Sequence, residues 1–382
     1  MLLEGNSTIP STSPAPGVLL LSCGTGEGHN SAASALGEAL KAEGIPYEQK
    51  DPLSFGGSRA GERAASAYTL LIQRAPGAFN SLYKAGDKLS SPDRLSPVYY
   101  ANARRAQRLA DYLREKAFTQ VICTHLFAME AMTAVRREGL STVPCYGVLT
   151  DYTCIPFTEE TRLDGYFIPH RDLVGQIAAK GLPEARLLPF GIPVRERFSQ
   201  PVSRESARAA LGIPQDKTMF LLMGGSAGCG HLEQVCQALL TRPGHWEAHV
   251  LLGHNREGLK GMERRFRQEK AIHPVGYTQR TDLYMAAADV VITKPGGLTS
   301  TETAVLGVPL VHLLAYSACE EANAAFFSQR GMSLRADTPE EAAAAAWRLS
   351  QDRSLQKSMR EAQREFTNPR AARDIVKRVV LA

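Results

Sequence analysis

The sequence predicts an α/β protein built from two Rossmann-like, doubly wound parallel-sheet domains that face each other across a cleft. Three observations carry that expectation. The chain has 382 residues, too many for one average domain and suited to two of ~150 to 200. Short apolar runs end in glycine-rich or polar loops and are followed by helix-like stretches, the alternation of a parallel sheet wound on both faces. One such unit, residues 19–29, is repeated in plan at residues 219–231: apolar run, Gly-rich loop, Gly-His, helix.

In chain order, residues 1–16 hold three prolines and several Ser, Thr and Asn. They have no basic cluster leading into an apolar block, so a flexible leader is expected rather than a signal peptide. The run 18–22 stops at a glycine cluster and a helical stretch follows over 31–41. Further strands are expected at 121–123 before His125, at 145–149 before Thr150 and Asp151, and at 166–168 before Pro169 and His170. Ligands of such sheets sit beyond the carboxyl ends of the strands, where these polar residues lie. A joint is expected near 191–214. The second set then has strands at 219–223, 250–252, 272–275, 290–293 and 310–313, and charged amphipathic helices fill the last ~30 residues. The domains so read are 17–198 and 199–355, with a helical segment 356–382 packing back on the first.

Composition narrows the class. With 44% hydrophobic, 22% charged and 32 glycines, the chain is globular, neither disordered nor fibrous. The seven cysteines are scattered and never form Cys-x-x-Cys, which suits reduced thiols in the cytoplasm. No stretch offers ~18 apolar residues free of turn formers. Net charge is +5, yet residues 56–116 alone carry eleven Lys/Arg against five acids. Interleaved there are Tyr68, Leu70, Leu71, Ile72, Phe79, Leu82 and Tyr83. An anionic membrane surface would be matched by that mixture; two solvated amphipathic helices facing a core would give it equally.

Chemistry concentrates in three places. In the first loop Gly24, Gly26 and Gly28 precede His29; the glycines allow backbone close to an anion, and the helix start favours negative charge. His29 is either a general base or a structural donor. The spacing departs from Gly-x-Gly-x-x-Gly, and Asp51 is poorly placed for a dinucleotide ribose. The second place is the stretch 293–302, where Gly296 and Gly297 open a helix whose bare N–H groups fit a diphosphate. Glu302 either completes a Thr299-x-x-Glu302 capping box or accepts from the two hydroxyls of a ribose. The third is Glu320, Glu321, Asn323, where adjacent acids complement a helix dipole or bind sugar hydroxyls. His245 and His249 are four apart, but the strand beginning at Val250 argues against a zinc helix. The sequence has no Walker loop and no Asp-x-Asp, so a diphosphate would be held by a helix N-terminus without a metal ion.

Taken together, the chain resembles glycosyltransferase family 28, and within it the branch of monogalactosyldiacylglycerol synthases and processive diacylglycerol glucosyltransferases. The likeness spans residues 18 to about 332. It rests on Gly26, Glu27, Gly28, His29; on Thr150, Asp151, Tyr152 with Phe167, Ile168, Pro169, His170; on 190–194; on 276–302, its most specific part; and on 320–323. The resemblance implies the GT-B architecture and an inverting, metal-independent transferase. The donor would be UDP-galactose or UDP-glucose and the acceptor a membrane lipid such as diacylglycerol, with no other cofactor. It further implies that Gly296, Gly297, Leu298 and Thr299 hold the diphosphate, Glu302 the ribose, and the backbone at Gly276 and Tyr277 the uracil. Gly225 and Ser226 of the second Gly-rich loop join this donor site. Glu320, Glu321 and Asn323 would read the hexose, and His29, with Asp151 as rival or orienting group, would take the acceptor's proton.

Partners implied are the UDP-sugar, diacylglycerol and an anionic membrane surface, with no nucleic acid, at the inner face of the cell membrane. Where the family often has Pro-Gly before the acidic pair, this chain has Ser317, Ala318, Cys319, which leaves sugar preference open. The alternatives are an N-acetylglucosamine transferase acting on a polyprenyl-linked peptidoglycan precursor, a UDP-sugar sensor without turnover, a sugar epimerase, and an NAD-dependent oxidoreductase.

Overall fold

The computed structural model describes residues 17–24, 27–56, 91, 94–225, 228, 231–315 and 317–380. The leader and most of the basic stretch, including Arg59, Arg63, Arg74 and the aromatic residues between them, lie outside these, as does Ser226.

Two six-stranded sheets organise the chain. The first contains β1 (Val18–Leu21), β2 (Tyr47–Lys50), β3 (Gln120–Cys123), β4 (Cys145–Val148), β5 (Gly165–Phe167) and β6 (Leu187–Leu188) in the order β2-β1-β3-β4-β5-β6. The second contains β7 (Thr218–Met223), β8 (Trp246–Leu251), β9 (Ile272–Val275), β10 (Val290–Thr293), β11 (Leu310–His312) and β12 (Leu334–Arg335) in the order β12-β11-β10-β7-β8-β9. Every paired strand runs parallel to its neighbour. Strands covered on both faces read as unbroken apolar runs rather than alternating ones. That is why β1 (Val-Leu-Leu-Leu) and β7 (Thr-Met-Phe-Leu-Leu-Met) stand out in the sequence and are buried throughout or nearly so.

Three strands escape the apolar-run criterion. β2 is Tyr-Glu-Gln-Lys and largely exposed at a sheet edge, while β6 and β12 have two residues each. β8 also starts earlier than expected, at Trp246, so His249 lies inside a strand.

In the described part of the basic stretch, helices Pro97–Ala103 and Ala106–Glu115 turn Tyr99, Leu109, Ala110 and Leu113 into the core. Over these residues most apolar side chains pack inward and most charges face solvent, although Tyr100 is exposed. No helix among the described residues is long and apolar enough to cross a membrane.

The chain end crosses between the domains. Helix Arg353–Phe366 stays with the second: Gln363 donates to the carbonyls of Val308 and Met332, both at 3.0 Å. The crossing comes after it, later than residue 356. Asn368 donates to the Phe190 carbonyl at 2.9 Å. Helix Ala371–Val380 then lays Ala372, Ile375, Val376 and Val379 against Leu36 and Leu40 of helix Glu27–Ala42.

Candidate active site

Each sheet reverses its winding direction once, and that reversal places the site. In the first domain it falls between β1 and β3, in the second between β7 and β10. Loops leaving the carboxyl ends of such strand pairs diverge and leave a crevice. The two crevices face one another across a groove of about 510 Å³, walled by Glu27, Gly28 and Ser31 on one side and by Gly225, Gly276 and Glu302 on the other.

Helix Gly297–Leu306 begins at this groove. Its N-cap is Gly296, in extended conformation, and no side chain caps it. The N–H groups of Gly297, Leu298 and Thr299 therefore have no carbonyl one turn back, and the positive end of the helix is left bare. Thr299 is the third residue of the helix rather than its cap, so the spacing to Glu302 is not a capping box. Glu302 instead accepts from Ser31 Oγ of the opposite domain at 3.1 Å. It is 8% exposed, and burial pushes its carboxyl up to about 7 against the opposing pull of the Ser31 hydrogen bond and the charges of Arg197 and Arg195.

Gly276 and Tyr277 follow β9 and line the same groove. Tyr277 is 55% exposed; its ring stacks on that of His254 with centroids 4.2 Å apart. His254 Nε2 lies 3.9 Å from Glu27 Oε1 of the other domain, at the groove's rim.

Gly28 and Gly297 both face the opposite domain, Gly297 with no room for a side chain. A Cβ on Gly297 would lie 2.0 Å from the Thr150 carbonyl oxygen and 3.1 Å from Asp151 Oδ1. Only glycine lets the helix start abut this loop. A Cβ on Gly28 would touch the Leu298 side chain at 3.7 Å.

The acidic pair divides. Glu320, nearly buried, takes Lys294 Nζ at 2.6 Å, and Lys294 in turn lies beside Gly225. Glu321 is exposed, pairs with Arg335 and is not among the residues that line the groove. Asn323 sits in the seam between the domains. It is fully buried, its Oδ1 accepts from the Tyr152 N–H at 2.7 Å, and its Nδ2 donates to Asp151 Oδ1 at 2.7 Å and to the Pro295 carbonyl at 2.9 Å. One amide hydrogen thus joins the domains, the other ties Asn323 to Pro295 within the second, and both are engaged in this structure.

His29 stands in the first turn of helix Glu27–Ala42. Its Nδ1 lies 2.7 Å from the Thr124 carbonyl and 3.1 Å from Thr150 Oγ1. A carbonyl only accepts, so the hydrogen sits on Nδ1 and Nε2 carries the lone pair. Burial lowers the imidazole's pKa, opposed by the nearby charge of Asp151 and the bond to Thr124. A neutral imidazole with a fixed tautomer, near a carboxylate that stabilises its charged form, has the chemistry to accept a proton.

Ser31, Arg195 and Arg197 were not singled out from the sequence. Ser31 had a signal: Glu27, Ser31 and Ser34, spaced four and three apart on one helix face, all line the groove. The two arginines follow the interdomain segment 190–194, where nothing in the spacing points inward.

Comparison with known proteins adds the following. Residues 29–194 match the monogalactosyldiacylglycerol (MGDG) synthase family, and residues 219–379 the glycosyltransferase family 28 C-terminal domain. A processive diacylglycerol beta-glucosyltransferase of Bacillus mycoides is 27% identical over 366 residues, covering 94% of this chain and 92% of that protein. One of Staphylococcus saprophyticus is 26% identical, covering 69% and 67%. Among solved structures, Acinetobacter baumannii MurG superposes with a TM-score of 0.61 at 16% identity, covering 96% of this chain and 100% of that one. Anabaena Alr3699/HepE, in complex with UDP and glucose, gives 0.60 at 12%, with the same coverage. These structural likenesses establish the two-domain fold.

Proposed function

Since the chain belongs to glycosyltransferase family 28, with the GT-B architecture, we propose that it is a hexosyltransferase moving glucose or galactose from a UDP-sugar to diacylglycerol. The transfer inverts the anomeric centre and needs no metal ion. The single observation that carries this reading is Glu302: a buried carboxylate on the wall of the interdomain groove, one and a half turns into a helix whose uncapped N-terminus opens there.

In this reading the ribose hydroxyls donate to Glu302 in place of Ser31, and the uracil lies against the backbone at Gly276 and Tyr277. The diphosphate meets the N–H groups of Gly297, Leu298 and Thr299. His29 Nε2 takes the proton of the acceptor hydroxyl as its oxygen attacks the anomeric carbon; the bond to UDP breaks on the opposite face, and the helix dipole stabilises the departing charge. Asp151 stabilises the imidazolium so formed. Glu320, held by Lys294 beside Gly225, is the acid left to meet a hexose hydroxyl. The protein works at the inner face of the cell membrane as a peripheral protein, the basic residues of 56–116 meeting anionic lipid.

The relatives' printed names support the lipid acceptor. Titration with UDP and with NAD, together with mass spectrometry of lipids from cells overproducing the chain, tests the reading. Binding of UDP but not NAD and accumulation of a hexosyl-diacylglycerol are expected. A polyprenyl-linked N-acetylglucosamine product, or NAD binding, would overturn it.

A further inference from the structure

Away from the groove, three side chains converge on one face of the second sheet. Glu247 and His249 sit two residues apart on β8 and so project to the same side. His273 of β9 is paired with His249 in the ladder. The imidazoles of His249 and His273 stack at 4.7 Å with planes 19° apart. One ligand atom from each of the three residues lies within 4.8 Å of the others.

We propose that Glu247, His249 and His273 form a binding site for a divalent transition-metal ion of the zinc class. Two ligand atoms that share one such ion, each about 2.0 to 2.2 Å from it, lie roughly 3 to 4 Å apart at ordinary coordination angles. His249 Nε2 is 2.9 Å from Glu247 Oε1, and His273 Nε2 is 3.8 Å from Glu247 Oε2. The second separation is too long for a hydrogen bond and too short to hold a water between the atoms, but it fits a shared ion.

A second observation points the same way. His273 Nε2 and His249 Nδ1 are buried without any hydrogen-bond partner, and buried polar atoms in that state are rare in native proteins. An ion would ligate the first directly. Ligation through His249 Nε2, which now donates to Glu247, would place that ring's hydrogen on Nδ1, so the ion accounts for the orphaned atom of His273 and not for that of His249. Imidazole and carboxylate together are a donor set suited to zinc and its neighbours rather than to calcium or magnesium.

Access is open, because β9 is the sheet's edge strand and the His273 side chain is 41% exposed. The competitor is Lys217, whose Nζ lies 3.1 Å from Glu247 Oε2; its side chain is 25% exposed and long enough to withdraw into solvent when an ion replaces its charge. Both strands run on into the donor groove, β8 toward Gly253 and β9 toward Gly276. An ion clamping the edge pair would fix these two loops.

The test is equilibrium dialysis of the untagged, chelator-treated chain against Zn²⁺, with metal content measured. One equivalent is expected for the wild type. Affinity should fall on the order of tenfold or more in His249→Ala and in His273→Ala, and rise in Lys217→Met. His273→Ala, at a half-exposed position, should match the UDP affinity of the wild type when both are metal-free, which shows that its fold is intact. Failure of the wild type to bind a stoichiometric ion, or equal binding by wild type and both histidine variants, would overturn the proposal.

Discussion

Asn323 of the second domain donates a 2.7 Å hydrogen bond to Asp151 of the first, across 172 residues of sequence. The same carboxamide accepts the Tyr152 N–H, and the Tyr152 hydroxyl meets Thr301 Oγ1 at 3.0 Å. Domain closure therefore fixes the carboxylate that acts on His29. Asn323→Leu should leave Asp151 and the Tyr152 N–H without their partner in a buried seam, a loss of about 1–3 kcal/mol for each unsatisfied group. The expected result is a lowered transfer rate with UDP affinity changed less than about threefold, read from the separation of kcat and donor binding.

Gly297 is the steric counterpart of that bond. Gly297→Ala would push a methyl group to 2.0 Å from a backbone carbonyl, which a side-chain rotation cannot relieve. Each domain should fold as before and the two should sit further apart. Small-angle scattering would show a larger radius of gyration, and transfer should fall by about tenfold or more.

If Glu302 holds the ribose as proposed, donor binding depends on pH. Its carboxyl, raised to about 7 by burial, holds a proton in the folded chain that the unfolded chain has already released. Its contribution to stability is thus full below about pH 4.5 and is lost as pH rises through about 7. Ribose hydroxyls bind best to the carboxylate, so UDP affinity should be about tenfold higher at pH ~8 than at pH ~6. Glu302→Gln should bind more weakly and lose the pH dependence; calorimetric titration at the two pH values checks both.

For His29 the pKa moves the other way, yet the activity it supports also rises with pH. Burial lowers its pKa, and the base works only when neutral. At saturating donor, kcat should rise with pH through a midpoint below about 6.5 and stay flat above it. Asp151→Asn removes the charge that raises this pKa, so the midpoint should move lower still. His29→Ala should reduce the rate by about 10² to 10⁴ with UDP binding retained.

What the sequence made legible was what local composition controls. The apolar runs of β1 and β7, buried on both faces, and the glycines that end them announced two wound sheets. Gly296 and Gly297 announced a helix start. The register of that start was not legible: Thr299 and Glu302 have capping-box spacing, yet the cap is Gly296, because the box requires its threonine one turn earlier in the backbone path than it lies. Asn323 was placed on the sugar by motif alone. In the structure it bonds Asp151 and Tyr152 of the other domain as well as Pro295 of its own, and no local pattern encodes docking. The convergence of His249 and His273 was hidden for a similar reason, since it arises from strand register between β8 and β9 rather than from spacing along either one.

The most direct measurement is transfer of labelled hexose from UDP-glucose or UDP-galactose to diacylglycerol in anionic vesicles, with His29→Ala alongside the wild type. Label should move into the organic phase with the wild type and remain with UDP in the variant, although both proteins bind UDP. Label released as free sugar, or none in lipid while UDP is bound by the wild type, would contradict the account.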